Sequence, residues 1–440
     1  MKSIGLFASA TVLMATILFS GAATATSQNW PQSFFNADHT GNNPYESTLA
    51  TANVSQLQLK WGQNVPSGVV AYALYGGTVY LQTQMAGDGQ RHLVALDAAT
   101  GAVLWDTGTG NDLVGDIYRA IAVTKGFVYA PCGFAGSQTQ YPGGGICAYR
   151  RANGQQAWSF SDVTDEGLGY LISGPVYSAG TVYLAAIRVY NGNQSDVDDV
   201  VALNAKTGTV RWSQQMPSFH SGIDGAPMAV DADHVYVPIS CFYPDEPGCP
   251  VERYFGGVFA LSTTDGAHVW SANLASSSTA FSRGKTALYA NTNQRCGYTG
   301  GDDMMHETAI DPANGQLLWD VPLSGAAGGC NRSLSPIVGS FVYGAGTDGL
   351  HALNTGTGAQ KWLAPTYGTP GAGASAANGL VYTWAYNGGG DKISALNAKK
   401  GTVLWTLETP RALDIAPIIA DGVLYVAGSD CGSICAYGLP

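Results

Sequence analysis

The chain has 440 residues, 58 of them glycine, only 12% charged residues and a net charge of −11. It is too long for one ordinary core and carries enough glycine for many tight turns. The acidic balance argues against nucleic acid or an anionic membrane surface as the main partner.

In chain order, residues 1–25 read as a secretory signal. Lys2 is followed by the apolar run Ile4–Phe19 and by Ala23-Thr24-Ala25, a small-x-small cleavage site. The apolar run is too short for a membrane span, so the mature chain is expected to start near Thr26, secreted or periplasmic. Residues 26–56 form a polar lead-in. Leu57–Trp61, LQLKW, then looks like the last strand of a hairpin whose first strand is missing.

Ala95–Trp105, ALDAATGAVLW, is the first full hairpin: an apolar strand, a polar turn with Gly, and an alternating strand ending in Trp. Copies begin at Ala148, Ala202, Ala260, Ala309, Ala352 and Ala395. Each keeps the Gly (Gly101, Gly154, Gly208, Gly266, Gly315, Gly358, Gly401), where a tight turn needs positive φ. Each ends in Trp: Trp105, Trp158, Trp212, Trp270, Trp319, Trp362 and Trp405, with Trp61 at the same register. One Trp per unit suits packing against the neighbouring unit, with the indole N–H needing an acceptor. Ile434–Tyr437, ICAY, is a first strand with no partner after it, the complement of LQLKW.

Between the hairpins lie eight runs of the Gly-x-Val-Tyr type, such as Thr78–Tyr80 and Val423–Tyr425. Most follow a strand of small residues. Four strands per unit and eight units predict an all-β, eight-bladed β-propeller of four-stranded antiparallel blades over residues 57–440. Leu57–Trp61 closes the ring inside the C-terminal blade. A ring closed on itself is expected to be a monomer. The Trp spacings of 44, 53, 54, 58, 49, 43 and 43 place insertions in blades 2 to 5, where loops specific to this propeller would lie.

The eight cysteines of an exported chain predict disulfides. Spacing alone allows 105 pairings. The repeat frame pairs Cys132 with Cys147, Cys431 with Cys435 and Cys241 with Cys249 across hairpin positions. Cys296 with Cys330 follows by elimination.

The AxDxxTGxxxW repeats with their GxVY strands resemble the PQQ-type repeat of quinoprotein alcohol dehydrogenases and of the outer-membrane assembly factor BamB. The likeness covers residues 57–440. The lead-in, NWPQ…ADHTGNNPYE, is similar to the start of secreted PQQ-like repeat proteins. The dehydrogenase resemblance implies PQQ, a divalent cation such as calcium and a carboxylate base, with Trp384 able to stack on the quinone. The sequence lacks that group's adjacent Cys-Cys pair and any CxxCH haem motif. The BamB resemblance implies a scaffold for protein partners, although no lipid-attachment Cys stands at the cleavage site.

Asp224 and Asp414 stand three residues before Pro227 and Pro417 at the heads of inner strands in blades 4 and 8. Arg119 in blade 2 and Arg332 in blade 6 lie near the same level. Blades four apart face one another, so these residues would form a polar channel mouth with crossed acidic and basic pairs. Such a mouth would suit a small polar ligand or a cation. Asn191–Asp199, NGNQSDVDD, is rich in oxygen ligands, and Asp196, Asp198 and Asp199 are calcium candidates. The loop lacks the fixed Gly and terminal Glu of an EF-hand. Two function classes follow: an exported ligand- or protein-binding scaffold, or a PQQ-dependent dehydrogenase of an alcohol or sugar.

Overall fold

The computed structural model describes residues 29–110, 120–133, 144–161, 167–171, 173–190, 197–216, 228–241, 255–274, 279–293, 304–324, 334–365, 369–370, 373–386, 391–409 and 415–440. Their strands form eight antiparallel blades of a propeller. Blade 1 is typical, with inner strand Val69–Tyr75, second strand Thr78–Thr83, third strand Arg91–Asp97 and outer strand Val103–Gly110. In blade 8 the order is Ile418–Ala420, Val423–Ser429, Gly432–Gly438 and, from the other end of the chain, Gln58–Gln63. Trp61 pairs there with Ala436, as Trp105 pairs with Ala95 in blade 1. The two half-hairpins of the sequence thus complete one sheet and remove both free edges.

The core lies in the seams between blades. The seam of blades 1 and 2, for instance, gathers Ala71, Tyr80, Leu93, Ile121, Val128 and Tyr149. Outside it, one device recurs. The Trp of a blade lies on the turn glycine of the next blade, and its indole N–H donates to the carbonyl three residues before that glycine. Trp105 donates to Arg151 O at 3.0 Å, Trp212 to Thr263 O at 3.0 Å and Trp362 to Ala398 O at 3.1 Å. Trp61, Trp158, Trp270 and Trp319 do the same to Ala98, Ala205, Pro312 and Thr355. In several seams the GxVY tyrosine uses the same carbonyl, as Tyr343 does with Ala398 O at 3.0 Å. Burial of the ring and satisfaction of its donor are met by one contact.

The glycines are needed here for two reasons. Gly101 has φ +73°, and a Cβ on it would stand 2.6 Å from Trp61 Cε3. Gly101→Ala should therefore push Trp61 and the closing strand outward, at a cost of about 2 kcal/mol or more. A urea midpoint unchanged from the parent would contradict this account.

The eighth seam cannot use the device, because the third and outer strands of blade 8 come from distant parts of the sequence and no hairpin turn joins them. Trp405 instead meets Tyr437 edge-on at 6.2 Å. The short helical turn Val54–Gln56 packs beside the outer strand Val403–Thr409, with Leu49 and Val54 wholly buried. Tyr382, the GxVY tyrosine of blade 7, is left with a buried hydroxyl that has no partner.

The lead-in forms an element of its own, which we call the strap. It passes all eight inner strands in order. Trp30 exchanges backbone hydrogen bonds with Leu74 of blade 1, and Pro31 O accepts from Val123 N of blade 2 at 2.6 Å. The Gln32 side chain binds both backbone groups of Tyr177 in blade 3. Ala37 O, Asp38 O, Thr40 O and Gly41 O then accept from the amides of Val230, Arg283, Ile337 and Ala376, in blades 4 to 7. Asn43 Nδ2 reaches Ile419 O of blade 8 at 2.9 Å. Each of these blade residues stands six places before its own GxVY tyrosine. The register is therefore the same all round, at the end of the inner strand that leads into the second. An inner strand is a sheet edge, and its free amides need acceptors. The strap supplies one in each of blades 1 to 7 and a side-chain donor in blade 8, bending through positive φ at Phe34, Phe35, His39 and Gly41 to follow the circle.

Candidate functional site

The strap sets the geometry of the channel by lying across all eight inner strands at one end. Two of its ionisable side chains, His39 and Asp38, sit against blades 4 and 5. His39 is 1% exposed, and burial lowers its imidazole to about 4, against a small opposing effect from the Phe281 backbone. It is neutral at physiological pH. Burial pushes the Asp38 carboxyl up to about 6, with Arg283 opposing and Asp231 reinforcing the shift. Beside it, Arg283 Nε pairs with Asp231 Oδ2 at 2.9 Å, and Tyr236 donates its hydroxyl to the same oxygen at 2.7 Å. Burial works against ionisation of Asp231. Hydrogen bonds from Tyr236, from the backbone of His234 and Asp233 and from Arg283 outweigh it and keep the carboxyl below its usual range. This is a satisfied polar lock between strap and blades 4 and 5.

Arg119, Asp224, Arg332 and Asp414, the expected channel mouth, lie outside the described residues, as does Asp196. Asp198 and Asp199 belong to the third strand of blade 3, Val197–Asn204, rather than to a loop. The Asp198 side chain lies outside the described ones. Asp199 is buried.

A quinone needs an aromatic face bordering open space. Trp384 is 5% exposed and belongs to the apolar cluster of blades 7 and 8 that also holds Ile393, Ile419 and Val426. Its indole N–H is buried without a partner. The described residues therefore do not fit the stacking role that the dehydrogenase resemblance implies. Among the described residues no group of three or more His, Cys, Asp or Glu gathers as a metal site.

Two expected disulfides are formed, Cys132–Cys147 and Cys431–Cys435. The Cys241–Cys249 and Cys296–Cys330 pairings fall outside the described side chains.

One buried group escaped the sequence reading. Glu307, on the third strand of blade 5, is 0% exposed. The same repeat position holds Leu93, Ile146, Val200, Val258, Leu350, Ile393 and Ile434 in the other blades. A carboxyl at a position that is otherwise always aliphatic is the signal that could have found it.

Solved structures of similar fold agree with this architecture. The quinohemoprotein alcohol dehydrogenase of Comamonas testosteroni matches at a TM-score of 0.68 and 15% identity, covering 94% of this chain and 81% of the other. The computationally designed Ika8 protein matches at 0.60 and 14% identity, covering 87% and 99%. BamB from Moraxella catarrhalis matches at 0.50 and 16% identity, covering 87% and 97%. At such identities these likenesses show the fold alone. A search of curated proteins returns no match. A family model described as outer membrane protein assembly factor BamB matches residues 46–186, 142–384 and 346–438. Since those segments span nearly the whole propeller, the chain belongs to this PQQ-repeat family of propellers.

Proposed function

We infer that the chain is an exported scaffold propeller that holds a small polar ligand or a protein partner at the channel mouth opposite the strap. The strap carries this reading. It occupies one end of every inner strand, so access to the channel is left to the other end. Arg119, Asp224, Arg332 and Asp414 are the charged groups that the repeat register assigns to that mouth. Membership of a family described by an assembly factor supports a binding role over a catalytic one. The signal-like residues 1–25 and the Cys132–Cys147 disulfide support export to an oxidising compartment.

Two measurements test it. The Asp224→Asn, Asp414→Asn double variant should lose any thermal shift that cations or small polyols give the parent, while keeping the parent's melting point without ligand. A ligand response equal to the parent's removes the mouth from the proposal. Separately, purified protein mixed with PQQ and calcium should retain no quinone absorbance and show no dye-linked oxidation of alcohols or sugars. Retained chromophore with turnover would replace the scaffold reading by the dehydrogenase one.

A further inference from the structure

Glu307 lies in the seam between blades 5 and 6, two residues in from the start of the third strand Met305–Ile310. It pairs across the sheet with Asn291, two residues in from the end of the second strand Leu288–Asn293. Both side chains are enclosed, at 0% and 1% exposure. Glu307 Oε2 accepts from Asn291 Nδ2 at 3.1 Å and from the Ser335 hydroxyl at 2.8 Å. The Asn291 amide also donates to Ala345 O of blade 6 at 3.4 Å. Two acceptors on the nitrogen side fix which way the amide points. Two oxygens are then left over, Glu307 Oε1 and Asn291 Oδ1, both buried and both without a hydrogen-bond partner.

Blade 6 is shaped for the carboxyl. Gly344 faces it, and a Cβ there would come within 2.6 Å of Glu307 Oε2. The equivalent positions elsewhere are Leu81, Ala130, Leu184, Val237, Ala290, Thr383 and Val426. Two departures from the repeat, an acid in one blade and a missing side chain in the next, thus occur together. A buried carboxylate without a counter-charge is costly, and an unmatched amide oxygen adds to that cost. What both oxygens lack is a positive partner. A monovalent ion neutralises the single carboxylate, whereas a divalent ion would leave a net buried charge.

We propose that this cluster is a binding site for a monovalent cation such as sodium, held by Glu307 Oε1 and Asn291 Oδ1, with the Ser335 hydroxyl and the Ala345 carbonyl close by. The site lies off the propeller axis and is independent of the channel mouth. Sodium competes there with a proton. Burial pushes the Glu307 carboxyl up to about 7, against the opposing hydrogen bonds from Asn291 and Ser335. Tyr289, two residues before Asn291 on the second strand, is the other titratable group that senses this charge. Burial holds it above its usual range, so it stays neutral while donating to Thr355 O. Leu323, Gly344 and Ala345, also packed here, carry no charge.

The sign of the effect follows. Without an ion, the raised carboxyl contributes stability that is fully present below about pH 4.5 and lost as pH rises through about 7. Sodium should restore it only above that range. Melting should be followed in about 0.2 M sodium chloride and in choline chloride of equal ionic strength, near pH 5.5 and near pH 8.5. Near pH 8.5 the sodium sample should melt about 2 °C or more higher, and near pH 5.5 the two should coincide. Glu307→Gln should melt alike in both salts at both pH values. Equal melting of the parent in sodium and choline near pH 8.5 would show a site for a proton only and overturn the proposal. A sodium response surviving in Glu307→Gln would overturn it as well. If that variant does not fold, sodium NMR on the parent decides. Excess relaxation that vanishes on acidification is expected, and its absence near pH 8.5 counts against the site.

Discussion

Deletion of residues 29–48, with the closing strand Gln58–Gln63 retained, should expose one ring of backbone amides. The amides of Val123, Val230, Arg283, Ile337 and Ala376 now donate to strap carbonyls, and those of Leu74 and Tyr177 to Trp30 O and to the Gln32 side chain. Without these acceptors their hydrogen exchange should accelerate on the order of a hundredfold, a loss of about 2.7 kcal/mol in local protection. Amides of second and third strands, bonded within their own blades, should keep their rates. A milder change makes the same point. Trp30 is 2% exposed and shares the seam cluster of Leu74 and Phe35. Trp30→Ala should lower unfolding free energy by about 3–5 kcal/mol and accelerate the same seven amides. Unaltered protection of that ring in the deletion variant would mean that the strap only lies against the propeller and does not fasten it.

The second large effect separates two tryptophans that look alike in sequence. Trp270 is buried, rests on Gly315 and donates to Pro312 O at 3.0 Å. Trp270→Ala removes a ring contact and orphans no donor, but it opens a cavity in the seam of blades 4 and 5, and should cost about 3–5 kcal/mol. Trp405 has no turn of blade 8 to lie on and is only half-buried, against Tyr437. Trp405→Ala should cost about 1–2 kcal/mol, by the smaller area it covers. Urea midpoints of the two variants check the contrast. Equal losses would mean that the helical turn Val54–Gln56 replaces the missing hairpin turn completely.

The turn glycines, the tryptophans and the two half-hairpins were legible because each is a local motif. Gly101 and Trp105 lie four residues apart, and seven copies repeat the pattern. A hairpin of about eleven residues sets its own register, and the register sets the blade. The Cys132–Cys147 bond was legible for the same reason, since both residues fall at fixed positions of one hairpin.

Glu307 was legible only in part. Its acidity stands out among seven aliphatic residues once the repeats are aligned. Its partners come from another strand and another blade, and nothing local joins Glu307 to Ser335 or Gly344. Trp384 shows the converse. Its place outside the Trp register left it free for a ligand in sequence, yet packing between blades 7 and 8 encloses it.

By itself the sequence determined that the protein is a ring of eight sectors closed by its two ends, because strand period, turn chemistry and repeat length are properties of neighbouring residues. Only the tertiary structure decided that the polar lead-in becomes a strap fastened to every inner strand. Its bonds run mostly through backbone carbonyls, which every residue type possesses, and three of its four positive-φ bends, at Phe34, Phe35 and His39, fall on residues other than glycine, with Gly41 the fourth. Residue identity therefore carried no mark of that role, and the role exists only where the ring holds eight strand edges in one circle.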